Sequence, residues 1–353
     1  METPLQRSRW GIAAAAVVMQ LCLGTVYAWS VFKKPLISAH GWGETATQTA
    51  FMICIGMIGV CAAFGGALMD KIGPRKVAAA GGVMFGLGTI LAGLADYTGN
   101  IFLLYLGFGF IGGGGNGLAY VTPIATLIRW FPDKRGLVTG LAVMGFGAGA
   151  FFMGQTAPVM VNHIGIARTW FVFGAIFLVL TVAMARFFKD PPRDWLPDGF
   201  VPATARAATP AGSLTFREAF STRQWWMLWT LFFLNISAGI GLLSQLSPMA
   251  QEIQKDVIRD PAALAVAGGA VLSVASLFNG AGRFFWAWLS DGIGRKTVLL
   301  IMFASAALLY ALLPQVKNVA LFTAAACYLL ACYGGGFAVM PALVADSFGP
   351  AHV

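Results

Sequence analysis

The sequence predicts an all-α membrane protein with many spans, and three observations carry that prediction. Of its 353 residues, 58% are hydrophobic and 10% are charged, where a soluble domain carries roughly 25% charged residues. Apolar runs of about twenty residues, long enough to cross a bilayer, recur along the chain. Nearly all the basic residues fall in the connections between those runs. The mean hydropathy of +0.76 agrees. The net charge of +9 does not describe a nucleic-acid binder, because there is no basic stripe and no soluble domain to present one.

Each run can be justified in order. A window of about 19 residues places ten helices at 11–32, 47–69, 77–95, 101–127, 137–160, 169–188, 225–247, 262–288, 297–315 and 319–343. The first run follows Arg7 and Arg9. It is too long for a signal-peptide core and no convincing cleavage site follows it, so it reads as a retained span. The stretch 189–223 is rich in proline, alanine and charge, and reads as a cytoplasmic central loop with a short amphipathic segment. It divides the chain into a six-helix half, 1–188, and a second part, 224–353, with four helices. With the N-terminus in the cytoplasm, sixteen lysines and arginines lie inside and six, Lys33 and Lys34 among them, lie outside. That bias predicts an N-in, multi-pass protein of the cell membrane. One basic residue, Arg283, is left over within a span.

The two parts share a motif. GALMDKIGPRK follows the second span and AWLSDGIGRK follows the eighth. Each carries an aspartate (Asp70, Asp291), a glycine at a tight reversal (Gly73, Gly294) and a basic pair (Arg75 and Lys76; Arg295 and Lys296), with Lys71 added in the first copy. The glycine permits the turn, the cations hold the loop inside, and the aspartate can pair with a neighbouring arginine. Such a loop, found twice around a six-plus-six layout, resembles the major facilitator superfamily, a fold of two pseudo-symmetric six-helix halves. The second part stops at VADSFGPAHV after four helices. The expectation is that spans 11 and 12 lie outside this sequence.

Arg283 sits within FNGAGRFFWAW. A charge deep in a span costs roughly 2.5–3.5 kcal/mol on insertion scales. Snorkelling to the headgroups is one account: Asp291 is eight residues away, about 12 Å along a helix. Two facts weigh against it. Helical side chains lean toward the N-terminus, which here points Arg283 to the bilayer centre. Its helical face, Ser276, Asn279 and Gly280, is small and polar, whereas Leu277, Phe284, Phe285 and Trp288 point elsewhere. All fourteen acidic residues fall in loops or at their edges, so no carboxylate within a span neutralises it. A mobile carboxylate, which a guanidinium grips bidentately, is the expected partner.

Other spans bring aromatic and polar groups to similar depth: Gln20, Gly24 and Tyr27 in the first, Asn116 and Tyr120 in the fourth, Phe146 in the fifth, Tyr333 and Phe337 in the tenth. The neighbouring glycines allow close packing or clear space. The GFGFIG of 107–112 fits a dinucleotide-binding pattern but has no preceding strand, and reads as packing. The five cysteines are scattered and the histidines isolated, so no metal or cofactor is expected. No nucleophile–base pair suggests an enzyme. The partners expected are a small carboxylate and the lipid bilayer, for a monomeric chain.

At RWFPDKRGL, with TQTAF, SLFNGAGRFFWAWLSDGIGR and YGGGFAVMP, the chain resembles the oxalate/formate antiporter family, neighbours of the monocarboxylate transporters. The resemblance implies a secondary transporter of small carboxylates working by alternating access, with anion exchange or proton-linked symport as its modes. By the same resemblance, Arg283 corresponds to a span-8 arginine that grips a substrate carboxylate. Tyr27, Tyr120, Phe146, Tyr333 and Phe337 correspond to an aromatic cage, with Asn279 on the arginine's face. Phe146, Tyr333 and Phe337 depart from the Tyr, Trp and Tyr of the family's oxalate carrier. A span-11 lysine of that carrier would fall beyond Val353. The loop residues Asp70–Lys76, Asp291–Lys296 and Arg135 are expected to latch the closed state.

Overall fold

The computed structural model describes residues 4–192, 196–197 and 216–348. Among the described residues there are helices and no strand. Ten of these described helices are long and apolar enough to cross a membrane: span 1 Arg9–His40, span 2 Glu44–Ile72, span 3 Pro74–Thr98, span 4 Ile101–Trp130, span 5 Leu137–Ile164, span 6 Ile166–Ala185, span 7 Arg223–Gln254, span 8 Pro261–Ile293, span 9 Arg295–Gln315 and span 10 Val319–Phe348. The central loop expected at 189–223 falls mostly outside the described residues. Its end forms a short helix, Phe216–Phe220.

Local chemistry sets the helix ends. Asp260 caps span 8 by accepting the amides of Ala262 and Ala263 at 3.4 and 2.9 Å, with Pro261 at the first helical position. Asn318 caps span 10 in the same way, at 2.9 and 3.1 Å. Gly73 and Gly294, the matching glycines of the repeat, turn the chain at φ +86° and +90°. A side chain is strained there and glycine is not, so the two motif copies share one backbone solution.

Span 1 departs from its expected limit. The helix does not stop at 32 but runs through Lys33, Lys34 and Pro35 to His40. Lys33, expected in an outer loop, is 2% exposed, and its Nζ donates to Gln245 Oε1 of span 7 at 2.8 Å. The apolar stem of a lysine can extend a buried helix when its ammonium finds an acceptor. Spans 7 and 8 also run one to two turns beyond their expected ends.

Span 3 packs along span 6, spans 2 and 3 against span 4, and span 8 against span 10. The first six spans meet the last four along two seams. Span 5 crosses span 8, and the His40 half of span 1 lies on span 7. The first seam is glycine on glycine. A Cβ on Gly147 would sit 2.8 Å from the Gly280 Cα, and one on Gly269 would collide with the Gly154 carbonyl. Such close approach lets polar groups bond between helices: Ser273 Oγ donates to the Phe151 carbonyl and Ser276 Oγ to that of Gly147, each at 2.9 Å. At the second seam the Ser247 amide donates to Ser30 Oγ at 3.4 Å, beside the Lys33–Gln245 bond. Large apolar residues such as Phe64, Leu300 and Leu321 remain exposed, which suits a lipid-facing surface.

Candidate functional site

Span 8 presents two faces. Ser276, Asn279, Gly280 and Arg283 are buried, while Leu277, Phe284, Phe285 and Trp288 are exposed. Arg283 is 2% exposed. Its Nε, Nη1 and Nη2 have no hydrogen-bond partner among the described residues, and no carboxylate there pairs with it. Charge attraction and a loose side-chain contact, outside strict hydrogen-bond geometry, link it to the Tyr27 hydroxyl. What surrounds it is aromatic: its Cζ is 4.9 Å from the Phe337 ring centroid and 5.8 Å from that of Phe146. Cation–π attraction of about 0.5–2 kcal/mol per ring offsets only part of the burial cost.

Those two rings belong to a continuous wall. Phe146 meets Tyr27 edge-on at 5.1 Å and Tyr120 at 4.9 Å. Phe337 meets Tyr333 at 5.3 Å, and the hydroxyls of Tyr27 and Tyr333 are hydrogen-bonded at 2.9 Å. Spans 1, 4, 5, 8 and 10 thus converge on one guanidinium. All seven residues singled out for the site in the sequence come together, with Asn279 one helical turn from Arg283.

The backbone is irregular where these rings are held. Span 1 tightens to a 3₁₀ turn at Thr25–Ala28, which carries Tyr27. Span 5 is interrupted at Gly149, three residues after Phe146. Span 4 has a π-helical stretch, Tyr105–Gly112, over the GFGFIG sequence, where Gly88 packs against Gly112. Departures of this kind often mark functional segments. Gly147 also makes room directly: a Cβ there would lie 3.1 Å from Arg283 Nε.

Three buried amides flank the cage. Gln20 Nε2 donates to the Tyr120 carbonyl at 3.1 Å and Asn116 Nδ2 to that of Leu23 at 2.8 Å. Among the described residues their oxygens have no partner, and both amide atoms of Asn279 are unpartnered.

The loop residues lie at the opposite end of the bundle from His40. Asp70 accepts from Arg129 at 2.6 Å, and the same guanidinium reaches Asp190 at 2.7 Å. In the second copy Arg295 pairs with Asp291 at 3.3 Å and Asp346 at 2.6 Å. The cation belongs to span 4 in the first cluster and to the loop motif in the second. Lys71, Arg75, Lys76 and Lys296 are exposed. Arg135 opens a helix, and its side chain lies outside the described residues. Sequence reasoning missed Arg129 and Lys33 because each closes an apolar run, where a cation reads as a loop boundary.

An all-helical bundle in which ten of the described helices are long and apolar enough to cross a bilayer defines a polytopic membrane protein. A family model described as Major Facilitator Superfamily matches residues 12–353. The chain belongs to that superfamily, whose members are membrane transporters rather than enzymes. It is 28% identical over 356 residues to the oxalate:formate antiporter of Oxalobacter formigenes, covering 99% of this chain and 80% of that protein. An uncharacterized MFS-type transporter, YhjX of Escherichia coli (strain K12), is 28% identical over 350 residues, 98% of this chain and 82% of its own length. The crystal structure of a D-xylose-proton symporter superposes with a TM-score of 0.62 at 15% identity, covering 96% of this chain and 82% of that one, and so shares the fold.

Proposed function

We propose that this chain carries small carboxylate anions across the membrane, by alternating access and in exchange for one another. One observation carries the reading: a buried guanidinium whose three nitrogens have no hydrogen-bond partner among the described residues, walled by five aromatic rings from four other spans. An oxygen-rich anion satisfies the fork of the guanidinium and cancels its charge. Neutral or cationic solutes give no reason to keep an unpaired arginine there. The similarity to an oxalate:formate antiporter supports the same class. In this scheme the aromatic rings occlude and size-select the anion, and the clusters at Asp70–Arg129 and Arg295–Asp346 brace the cytoplasmic end of each part as the two move.

Exchange follows from the charge. With an anion bound the centre is neutral and can close away from water cheaply. Without one, closure must bury a bare guanidinium. Loaded carriers therefore reorient faster than unloaded ones. The test is counterflow in proteoliposomes. Radiolabelled oxalate, formate and lactate are offered to vesicles with and without internal carboxylate, for the wild type and for Arg283→Gln. Uptake that needs internal carboxylate and is lost in the variant is the expected result. Full carboxylate uptake by Arg283→Gln overturns the site, and uptake driven by a proton gradient alone overturns exchange.

A further inference from the structure

Spans 8 and 10 are in close contact where a Cβ on Gly282 would collide with the Ala331 carbonyl. Away from the cage, their outward faces leave an apolar groove of about 790 Å³. One wall includes Val274, Phe278 and Ala281 of span 8, and the other includes Ala320, Ala324 and Cys327 of span 10. Val274 and Phe278 are exposed, so the groove opens on the surface that faces lipid. On span 10 its lining runs from Val319, the first residue of the helix, to Ala331. Those twelve steps cover about 18 Å, and the hydrocarbon of one leaflet is about 15 Å deep. The groove is therefore as long as one acyl chain reaching from the membrane surface to the bilayer centre.

The mouth of the groove is positive. Lys317 precedes its first lining residue by two positions and is exposed, with no carboxylate paired to it among the described residues. The connection 313–318 carries this lysine and no acidic residue. Span 10 also starts here, and a helix start bears partial positive charge. A further helix is a poor fit for this place. Span 6 packs on spans 3 and 1, and span 5 on spans 1 and 4 near their connection. By the same repeat, helices following span 10 would fall on spans 9 and 7, and beside the cytoplasmic half of span 10.

We infer that this groove is a binding site for one anionic glycerophospholipid, with an acyl chain along spans 8 and 10 and the headgroup phosphate at Lys317. The inference is independent of what Arg283 binds. Leaving bulk lipid for the groove brings no hydrophobic gain, because both surroundings are apolar. Selection comes from packing in the groove and from charge at its mouth. A zwitterionic headgroup brings its own cation to compete with the lysine, whereas an anionic one does not. One lysine near the membrane surface favours the anionic lipid by about fivefold.

Photolabelling tests this with the full chain in phosphatidylcholine vesicles. A trace of phosphatidylglycerol or phosphatidylcholine is added, each with a diazirine near the end of one acyl chain, and labelled positions are mapped by peptide mass spectrometry. Label should concentrate on 278–285 and 324–331, above the lipid-facing residues of spans 2, 6 and 9. Phosphatidylglycerol should label these positions about fivefold more than phosphatidylcholine, and Lys317→Gln should bring that ratio near one. Ala281→Leu combined with Ala324→Leu, two exposed positions on opposite walls, should abolish the concentration of label. Leu321→Phe, exposed but outside the groove, should leave it unchanged. Even labelling of all lipid-facing helices in the wild type overturns the site, so a poorly folding variant does not protect it. A wild-type headgroup ratio near one overturns the choice of an anionic lipid. If the groove stays unlabelled and oxidation joins two Ala324→Cys chains, a second copy occupies it and the lipid assignment falls.

Discussion

The hydroxyls of Tyr27 and Tyr333 lie 2.9 Å apart, one on span 1 and the other on span 10. Both residues are buried, at 4% and 2% exposure. This bond joins the first six spans to the last four beside Arg283.

Breaking that bridge has a defined cost. Tyr27→Phe or Tyr333→Phe removes one hydroxyl and strands the other, worth about 1–2 kcal/mol. Either variant should change the exchange rate several-fold, and the double variant should cost less than the sum of the two. A double-mutant cycle on counterflow rates and on thermal unfolding checks this. Additive effects would mean that the two hydroxyls do not act together.

Arg283 is predicted to trade stability for function. Arg283→Leu removes a buried charge that no carboxylate among the described residues pairs with, so thermal stability should rise, by about 1–3 kcal/mol. Carboxylate binding should be lost in the same protein. Arg283→Lys keeps the charge but not the planar fork, so affinity should fall at least tenfold. Thermal unfolding in detergent with and without carboxylate reads both effects: ligand should raise the midpoint of the wild type and leave that of Arg283→Leu unmoved.

Lys33 and Gln245 make an asymmetric prediction. Gln245→Leu leaves a buried ammonium without its 2.8 Å acceptor, with Glu44 3.9 Å away as its remaining partner. Lys33→Met leaves only a partly exposed amide. The first should destabilise by about 2–4 kcal/mol and the second by less than about 1 kcal/mol. Equal losses in unfolding measurements would show that the ammonium is not isolated by the change.

The charge clusters of the repeat should act on rate more than on stability. Asp70 and Asp346 are well exposed, so Asp70→Asn or Asp346→Asn should cost no more than about 1 kcal/mol. If these pairs brace the moving end of each part, high salt should change the exchange rate of the wild type by screening them. The variants should show a weaker salt dependence. Exchange rates measured across ionic strengths, beside unfolding midpoints, separate the two effects.

Much of this was readable in advance, for physical reasons. The spans are legible because lipid demands long apolar runs, and the repeat because a positive φ at Gly73 and Gly294 demands glycine. Arg283 stands out because a charge inside a span is costly. The polar stripe Ser276–Asn279–Gly280–Arg283 follows from helical period alone. Lys33 was misplaced because hydropathy averages over side chains and treats a cation as the end of a span. Its amide partner is more than two hundred positions along the chain and leaves no local mark. Arg129 was hidden similarly: its carboxylates, Asp70 and Asp190, come from two other connections. Pairings across the bundle are properties of packing, and one stretch of sequence does not carry them.

The glycine contacts between spans 5 and 8 have a mechanical consequence. Helices that interlock through bulky side chains must unseat one residue from its socket before either can move. Where Gly147 faces Gly280 and Gly154 faces Gly269, backbone rides on backbone and there is little to unseat. The crossing resembles a plain bearing: close enough to keep the two parts aligned, smooth enough that tilting one over the other meets low friction. Adding even a methyl group at one of these glycines would be like dropping grit into the bearing.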